Sequence, residues 1–465
     1  MQPGKVIETI VTPFQKFIRM EASSGLVLLI AAGIALVWAN TPWAEYYFQL
    51  WDTKVTVSIG QTEISKRLLI WINDGLMAIF FFLVGLEIKR EILEGELSTV
   101  RKATLPFMAA LGGMVVPVGL FLLLNYGSPG MEGWGVPMAT DIAFSLGILA
   151  LLGSRVTLGM NVFLTAFAIV DDIGAVLVIA FFYSHGFHPD ALITAGSLLA
   201  VLVLINYIGV KNIWMYLVIG LFVWYYFLKS GIHPTIAGVL LAFTIPAQNK
   251  IRLETFIRRM HRYRRMILER RDDKQRQGEG RFLPKEDISI IQDVKREAKK
   301  VQPPLQRLES NLNEFVAFFI MPLFAFANGG ISIINTDENL FTLLTLSIAL
   351  GLFVGKTIGI FAFSWASAKA GVADLPEQTS WSHILGLSML GGVGFTMALF
   401  IANLAFDPGG LLNQAKMGIL IGTLGSGVIG LFLLRLMTKA RTENPDSRKE
   451  STRAIDEQGE AYSVE

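Results

Sequence analysis

Long apolar runs separated by short polar stretches fill the chain from about residue 23 to 436. A helix needs about 20 residues to cross a hydrocarbon core of about 30 Å. Windows of that length give roughly twelve candidate spans, with cores near 23–40, 68–88, 103–124, 135–153, 159–184, 190–209, 213–228, 234–247, 313–332, 342–365, 382–404 and 413–436. The first follows Lys16 and Arg19 and is long for a cleaved signal segment, so it reads as a retained span. The pattern changes at three places. "KVTVSIGQTEIS" alternates Val55, Val57 and Ile59 with polar residues, which predicts a short β-hairpin near 54–65. Such a hairpin is marginal alone and gains from pairing with a second copy. The apolar runs stop between 249 and 312, and after 437 the chain is polar and aperiodic. The predicted organisation is therefore a membrane part over 1–248, a cytoplasmic helical insert over 249–312, a second membrane part over 313–437 and a disordered tail over 438–465.

Charge sets the orientation. Lys and Arg collect in the N-terminal arm, in "EIKREILEGELSTVRK", near Arg155 and Lys211, in the insert and in the tail. Intervening loops such as "NYGSPGMEGW" and "SHGFHPD" have none, although Lys54, Lys66 and Arg67 break the rule. The bias places both termini in the cytoplasm. From Asn249 to Lys300 the insert carries about seventeen basic residues against about nine acids, a composition that suits a solvated helical segment beside the inner leaflet. Tethering at a membrane argues against nucleic acid as its partner. The composition, 52% hydrophobic and 17% charged, fits a multi-pass membrane protein. The absence of Cys excludes a thiolate metal site or a thiol nucleophile.

The chemistry lies where charge interrupts apolar sequence. "TAFAIVDDIGAVLVIAFFY" sets Asp171 and Asp172 in the middle of a span. Each costs about 2.5 to 3.5 kcal/mol to insert, against about 0.3 to 0.6 recovered per Ile, Leu, Val or Phe, so protein neighbours must stabilise them. Asp141 and Lys356 share that depth, whereas Glu87 and Glu309 lie nearer span ends. Adjacent helical residues point about 100° apart, so one aspartate can face Asp141 and the other Lys356. Two carboxylates near the midplane repel each other unless a proton or cation joins them. With no His or Cys beside them, oxygen donors favour a hard cation over zinc. Pro137 interrupts one span, and Gly391, Gly392 and Gly394 interrupt another, which points to a transporter built from inverted repeats.

"WINDGLMAIFFFLVGLEIKRE", "EGWGVPMATDIAFSLGILALLGSRV", "FAIVDDIGAVLVIA", "LKSGIHPTIAGV", "MPLFAFANGGI", "GLFVGKTIGI" and "GGVGFTMALFIANLAF" closely resemble the NhaA-type sodium/proton antiporters of bacterial inner membranes. The likeness runs from about residue 14 to 436, apart from the insert. It implies an all-α integral membrane fold of about twelve helices in inverted-topology repeats. Two of those helices would be interrupted, and an extracytoplasmic hairpin would join a homodimer. The activity implied is exchange of Na⁺ or Li⁺ for H⁺ with a pH response, without a cofactor and without enzymatic chemistry; if one Na⁺ displaces two protons, each cycle moves one net charge and is electrogenic. By motif, Asp141 and Asp172 would hold the cation with Thr140 beside them, Asp171 would pair with Lys356, and Glu87, His233 and Glu309 would serve the pH response. Ser310 and Asn313 stand where the family pattern carries His.

Three rivals share some of these features. A Na⁺-coupled symporter for an organic solute needs a further substrate cavity. A channel needs no exchange of one ion for another. An intramembrane aspartic protease also uses two aspartates on different helices, but the chain has no Gly-Asp or Tyr-Asp pair and Lys356 has no task in that chemistry.

Overall fold

The computed structural model describes residues 12–59, 62–184, 186–249, 251, 253–274, 285–333 and 339–438. Most of the N-terminal arm, the middle of the insert and the tail expected to be disordered, from 439 onward, lie outside the described residues.

Helix α1 (Thr12–Trp38) leads through α2 (Ala44–Asp52) to an antiparallel ribbon, β1 (Lys54–Ile59) and β2 (Thr62–Arg67). Val55 pairs with Lys66 and Val57 with Ile64, so the period-2 pattern does form a hairpin, and its second strand runs on to Arg67. Two bonds tie the ribbon to α3 (Leu68–Glu94). Lys66 Nζ lies 2.9 Å from Asp74 Oδ2, and Trp71 Nε1 donates to the Val55 carbonyl at 3.0 Å. Helix α4 (Val100–Asn125) comes next. Beyond it, a 3₁₀ segment (Pro129–Met138) and α5 (Ile142–Ala150) meet at a bend of 48°.

Helices α6 (Leu158–Phe182), α7 (Pro189–Tyr207), α8 (Ile213–Ser230) and the short α9 (Thr235–Thr244) complete the first part. Local chemistry sets their limits. Thr157 Oγ1 caps α6 by accepting from Met160 N, and α8 stops at Gly231, whose φ of +83° glycine adopts without strain. The insert folds as two helices, α10 (Leu253–Lys274) and α11 (Lys285–Val301). Then come α12 (Pro304–Asn328), which starts ahead of the apolar core expected at 313, and α13 (Leu343–Lys369). A second bent pair, α14 (Trp381–Leu390) and α15 (Phe395–Ala405), meets at 45°, and α16 (Gly410–Met437) ends the described chain.

Among the described residues, eight helices are long and apolar enough to cross a membrane, or ten spans if each bent pair counts as one. Two shorter apolar helices, Ser23–Trp38 and α9, fall at the first and eighth expected positions. Outward side chains such as Leu123, Phe181 and Leu436 are exposed, as a lipid-facing surface requires. Inside, α4 and α13 cross so closely that a Cβ on Gly359 would lie 2.1 Å from the Gly112 carbonyl oxygen. Helices α3, α12 and α13 each contain a π-helical stretch, at Trp71–Leu76, Val316–Ile320 and Gly351–Gly355. The last ends immediately before Lys356.

Candidate functional site

The two bends cross each other. Pro137 has no N–H to continue a helix, and after Met138 the backbone extends through Ala139 and Asp141 before α5 begins. Its freed polar groups find partners on the second bend. Asp141 N donates to the Val393 carbonyl at 2.7 Å, Thr140 Oγ1 to the Gly391 carbonyl at 2.8 Å, and Ser145 Oγ to the Leu390 carbonyl at 3.0 Å. The second chain segment must come close to make these bonds, since a Cβ on Gly394 would sit 2.7 Å from the Ala139 carbonyl oxygen.

Asp141 sits at the centre of the crossing, fully buried. Its Oδ1 accepts from Phe144 N at 3.0 Å, and its Oδ2 accepts from Thr396 N at 3.0 Å and from Thr396 Oγ1. The N-termini of α5 and α15 thus converge on one carboxylate, where their dipoles favour negative charge by about 0.3 to 1 kcal/mol each and more when partly buried.

Asp171 and Asp172, one helical step apart on α6, have different surroundings. Lys356 Nζ lies 2.7 Å from Asp171 Oδ2, bonds Thr140 Oγ1 as well, and stands 5.7 Å from the Phe167 ring centre. Neither partner of that ion pair is open to solvent. Asp172 turns instead to a cavity of about 120 Å³ that it shares with Asp141. Among the described residues no hydrogen bond reaches Asp172 Oδ2, although the atom is buried. An uncompensated buried carboxylate is expensive, and a proton or a cation is what removes the cost.

Glu87, Arg90 and Glu309 line the same cavity. Arg90 Nε lies 2.8 Å from Glu309 Oε1, and Arg90 Nη1 2.8 Å from Glu91 Oε1. The cavity therefore joins the aspartates to a mixed-charge cluster at the far end of α3. Thr140 is not part of that lining; it touches the ion pair. His233 lies elsewhere, at the hairpin end of α3, with Nε2 3.7 Å from Asp74 Oδ1 and Nδ1 bonded to Thr235 Oγ1 at 2.7 Å. The three residues matched to the pH response thus fall into two separate groups.

Thr396 and Arg90 carry no assignment from the sequence. Arg90 could have been found as the cation one turn beyond Glu87 in "EIKRE". Thr396 has only a local hint, its place just after the glycine-rich break, and its partner is 255 residues away.

Comparison with known proteins gives the family. Residues 15–434 match the family described as Na⁺/H⁺ antiporter 1. The chain is similar to the Na⁺/H⁺ antiporter NhaA of Oleidesulfovibrio alaskensis, 47% identical over 94% of this chain and 96% of that protein. It is also 44% identical to the Na⁺/H⁺ antiporter NhaA of Koribacter versatilis, over 96% of each. The Na⁺/H⁺ antiporter NhaA 1 of Saccharophagus degradans matches at 44% over 92% of both chains.

Proposed function

Because the chain belongs to the Na⁺/H⁺ antiporter 1 family, we propose that the cavity between Asp141 and Asp172 is where it exchanges Na⁺ for H⁺. The protein is a transporter and not an enzyme. The observation that carries the site is the buried Asp172 oxygen that receives no hydrogen bond from the described residues, beside a cavity shared with Asp141. Li⁺ offers the same hard-cation chemistry to the same oxygens.

Exchange follows from competition. The two carboxylates hold either protons or a cation, and only a form that neutralises the buried charge crosses between facing states at a useful rate. The Asp171–Lys356 pair is already neutral as a unit, so it orders the site without adding charge to it. Two carboxylates against one Na⁺ support a count of two protons per cation, hence one net charge per cycle. A membrane potential then contributes about 2.3 kcal/mol per 100 mV to extrusion. Glu87 and Glu309 line the cavity beside the site together with Arg90, which supports the part in the pH response that the resemblance gives the two glutamates. His233 would act from the hairpin end.

The same reading extends to assembly. Ser23–Trp38 and α9 supply the two spans that bring ten to twelve, and the paired bends support inverted repeats. The hairpin supports a homodimer, because a two-stranded ribbon gains most from a second ribbon. The distribution of Lys and Arg supports cytoplasmic termini in a bacterial inner membrane. Dissipation of a pH gradient by added Na⁺ in proteoliposomes tests the central claim. Asp141→Asn and Asp172→Asn are each expected to abolish it, since an amide cannot trade a proton for a cation. Wild-type apparent Na⁺ affinity in either variant would remove that residue from the site.

A further inference from the structure

Exchange chemistry leaves the insert without a task, yet it is firmly built. Glu297, buried between α10 and α11, accepts from Arg259 and from Lys300 Nζ, the latter at 2.6 Å. Two backbone bonds close its neck, Ile251 N to the Lys300 carbonyl at 3.3 Å and Leu305 N to the Pro246 carbonyl at 3.2 Å. The neck is also fastened to the membrane body. Lys211 Nζ donates to the Asn249 carbonyl at 2.6 Å, and Lys89 Nζ to the Ile245 carbonyl at 2.5 Å. The insert is thus a closed helical pair held at the ends of two spans.

Its outward face is basic. Arg258, His261, Arg262, Arg264 and Arg265 are exposed along α10 around Ile257, with Glu254 as the acid among them. Among the described residues none of these four arginines has an ion-pair partner; Arg259, on the inner face, does. Over residues 254–265 the exposed face of α10 carries four arginines and His261 against Glu254, an excess of one sign in the part of the helix next to the neck.

We propose that the outward face of α10 docks on the anionic lipid headgroups of the membrane that holds the protein. Charge complementarity selects an anionic surface, and the neck selects which one. Residues 245–252 reach at most about 27 Å when fully extended, and their bonds to Lys89 and Lys211 shorten that. The start of α10 is therefore tethered to its own bilayer. There each Lys or Arg close to the surface adds to the attraction, and Ile257 can enter the interface among the arginines.

The chain has no Cys, so Ile257→Cys gives a unique attachment point for an environment-sensitive fluorophore on the full-length protein. Emission is to be compared in nanodiscs of phosphatidylcholine and of phosphatidylcholine with phosphatidylglycerol. The expected result is a blue shift in the anionic discs that high salt reverses, because added salt shortens the screening length. Replacing Arg258, Arg262 and Arg265 together by Gln should remove the shift, and replacing them by Lys should keep it. Equal emission in both discs, a shift that survives the Gln variant, or loss of the shift in the Lys variant would each overturn the proposal. So would a response in neutral discs to an added oligonucleotide or acidic peptide with none to phosphatidylglycerol.

Discussion

Asp141 is held by three donors from two helix N-termini, whereas Asp172 keeps an oxygen that no donor among the described residues reaches. Thr396 therefore acts through Asp141, by fixing the carboxylate in the crossing. Thr396→Val removes the hydroxyl bond and keeps the amide bond. A hydrogen bond to a charged group is worth about 1.5 to 3 kcal/mol, so apparent Na⁺ affinity should fall about tenfold or more, while Thr396→Ser should restore it. Unchanged affinity in the Val variant would assign that bond to folding alone. Lys356 is enclosed by Asp171, Thr140 and Phe167 and is not part of the cavity lining, which favours a structural part over proton carriage. Breaking a buried ion pair costs about 3 to 5 kcal/mol. Lys356→Gln should accordingly melt earlier but keep the wild-type reversal potential in proteoliposomes; a move toward electroneutral exchange would make Lys356 a proton carrier. The aspartates and Lys356 stood out in the sequence because lipid rejects charge, so each needed a reason. Thr396 did not, since a threonine on an apolar helix costs little and its meaning arises only when the two bends meet.

At the scale of elements, period and punctuation were legible. Alternation at Val55, Val57 and Ile59 marked the hairpin, and Pro137 and the glycines after Leu390 marked the bends. The join of α11 to α12 was not, because "PPLQRLESNLNEF" is polar enough to read as part of the insert, although α12 begins at Pro304. Glu297 makes the insert's own stability testable. Hydrogen bonding from the Lys300 ammonium, followed by that from Arg259, holds its carboxyl below the usual glutamate value. A depressed carboxyl contributes stability that is fully present above its unfolded pKa, about 4.5, and is lost as pH falls through the folded value. Amide exchange in α10 and α11, corrected for the intrinsic rate, should therefore quicken below about pH 4.5. Glu297→Gln should flatten that dependence; an unchanged acid profile would deny the contact its part. Deleting residues 249–300 with a short linker should still leave Na⁺-dependent proton movement, because no group of the cavity is lost. An inserted, folded deletion protein without turnover would contradict this.

For the whole molecule the decisive element is α9. Ten helical residues cover about 15 Å, roughly half of a hydrocarbon core of about 30 Å, so length alone does not make Thr235–Thr244 a crossing. Its neighbours argue that it is one. His233, just ahead of it, meets Asp74 near the start of α3, while the Ile245 carbonyl, just after it, accepts from Lys89 near the end of α3. Fifteen residues separate Asp74 from Lys89, about 22 Å of helix, so the segment 233–245 runs alongside α3 over about that length. If α9 crosses, seven spans separate the hairpin from the insert and the two lie on opposite faces. If it does not, six separate them and both lie on the same face. Because the chain has no Cys, single replacements Thr56→Cys and Ile257→Cys can be probed in intact cells with a membrane-impermeant maleimide. Cytoplasmic termini further require that the hairpin be the part exposed outside. Thr56→Cys should therefore label at once and Ile257→Cys only after permeabilisation. The reverse order would invert the orientation and leave the twelve spans standing, whereas labelling of both from one side would remove α9 from the count and with it the pairing of two interrupted repeats.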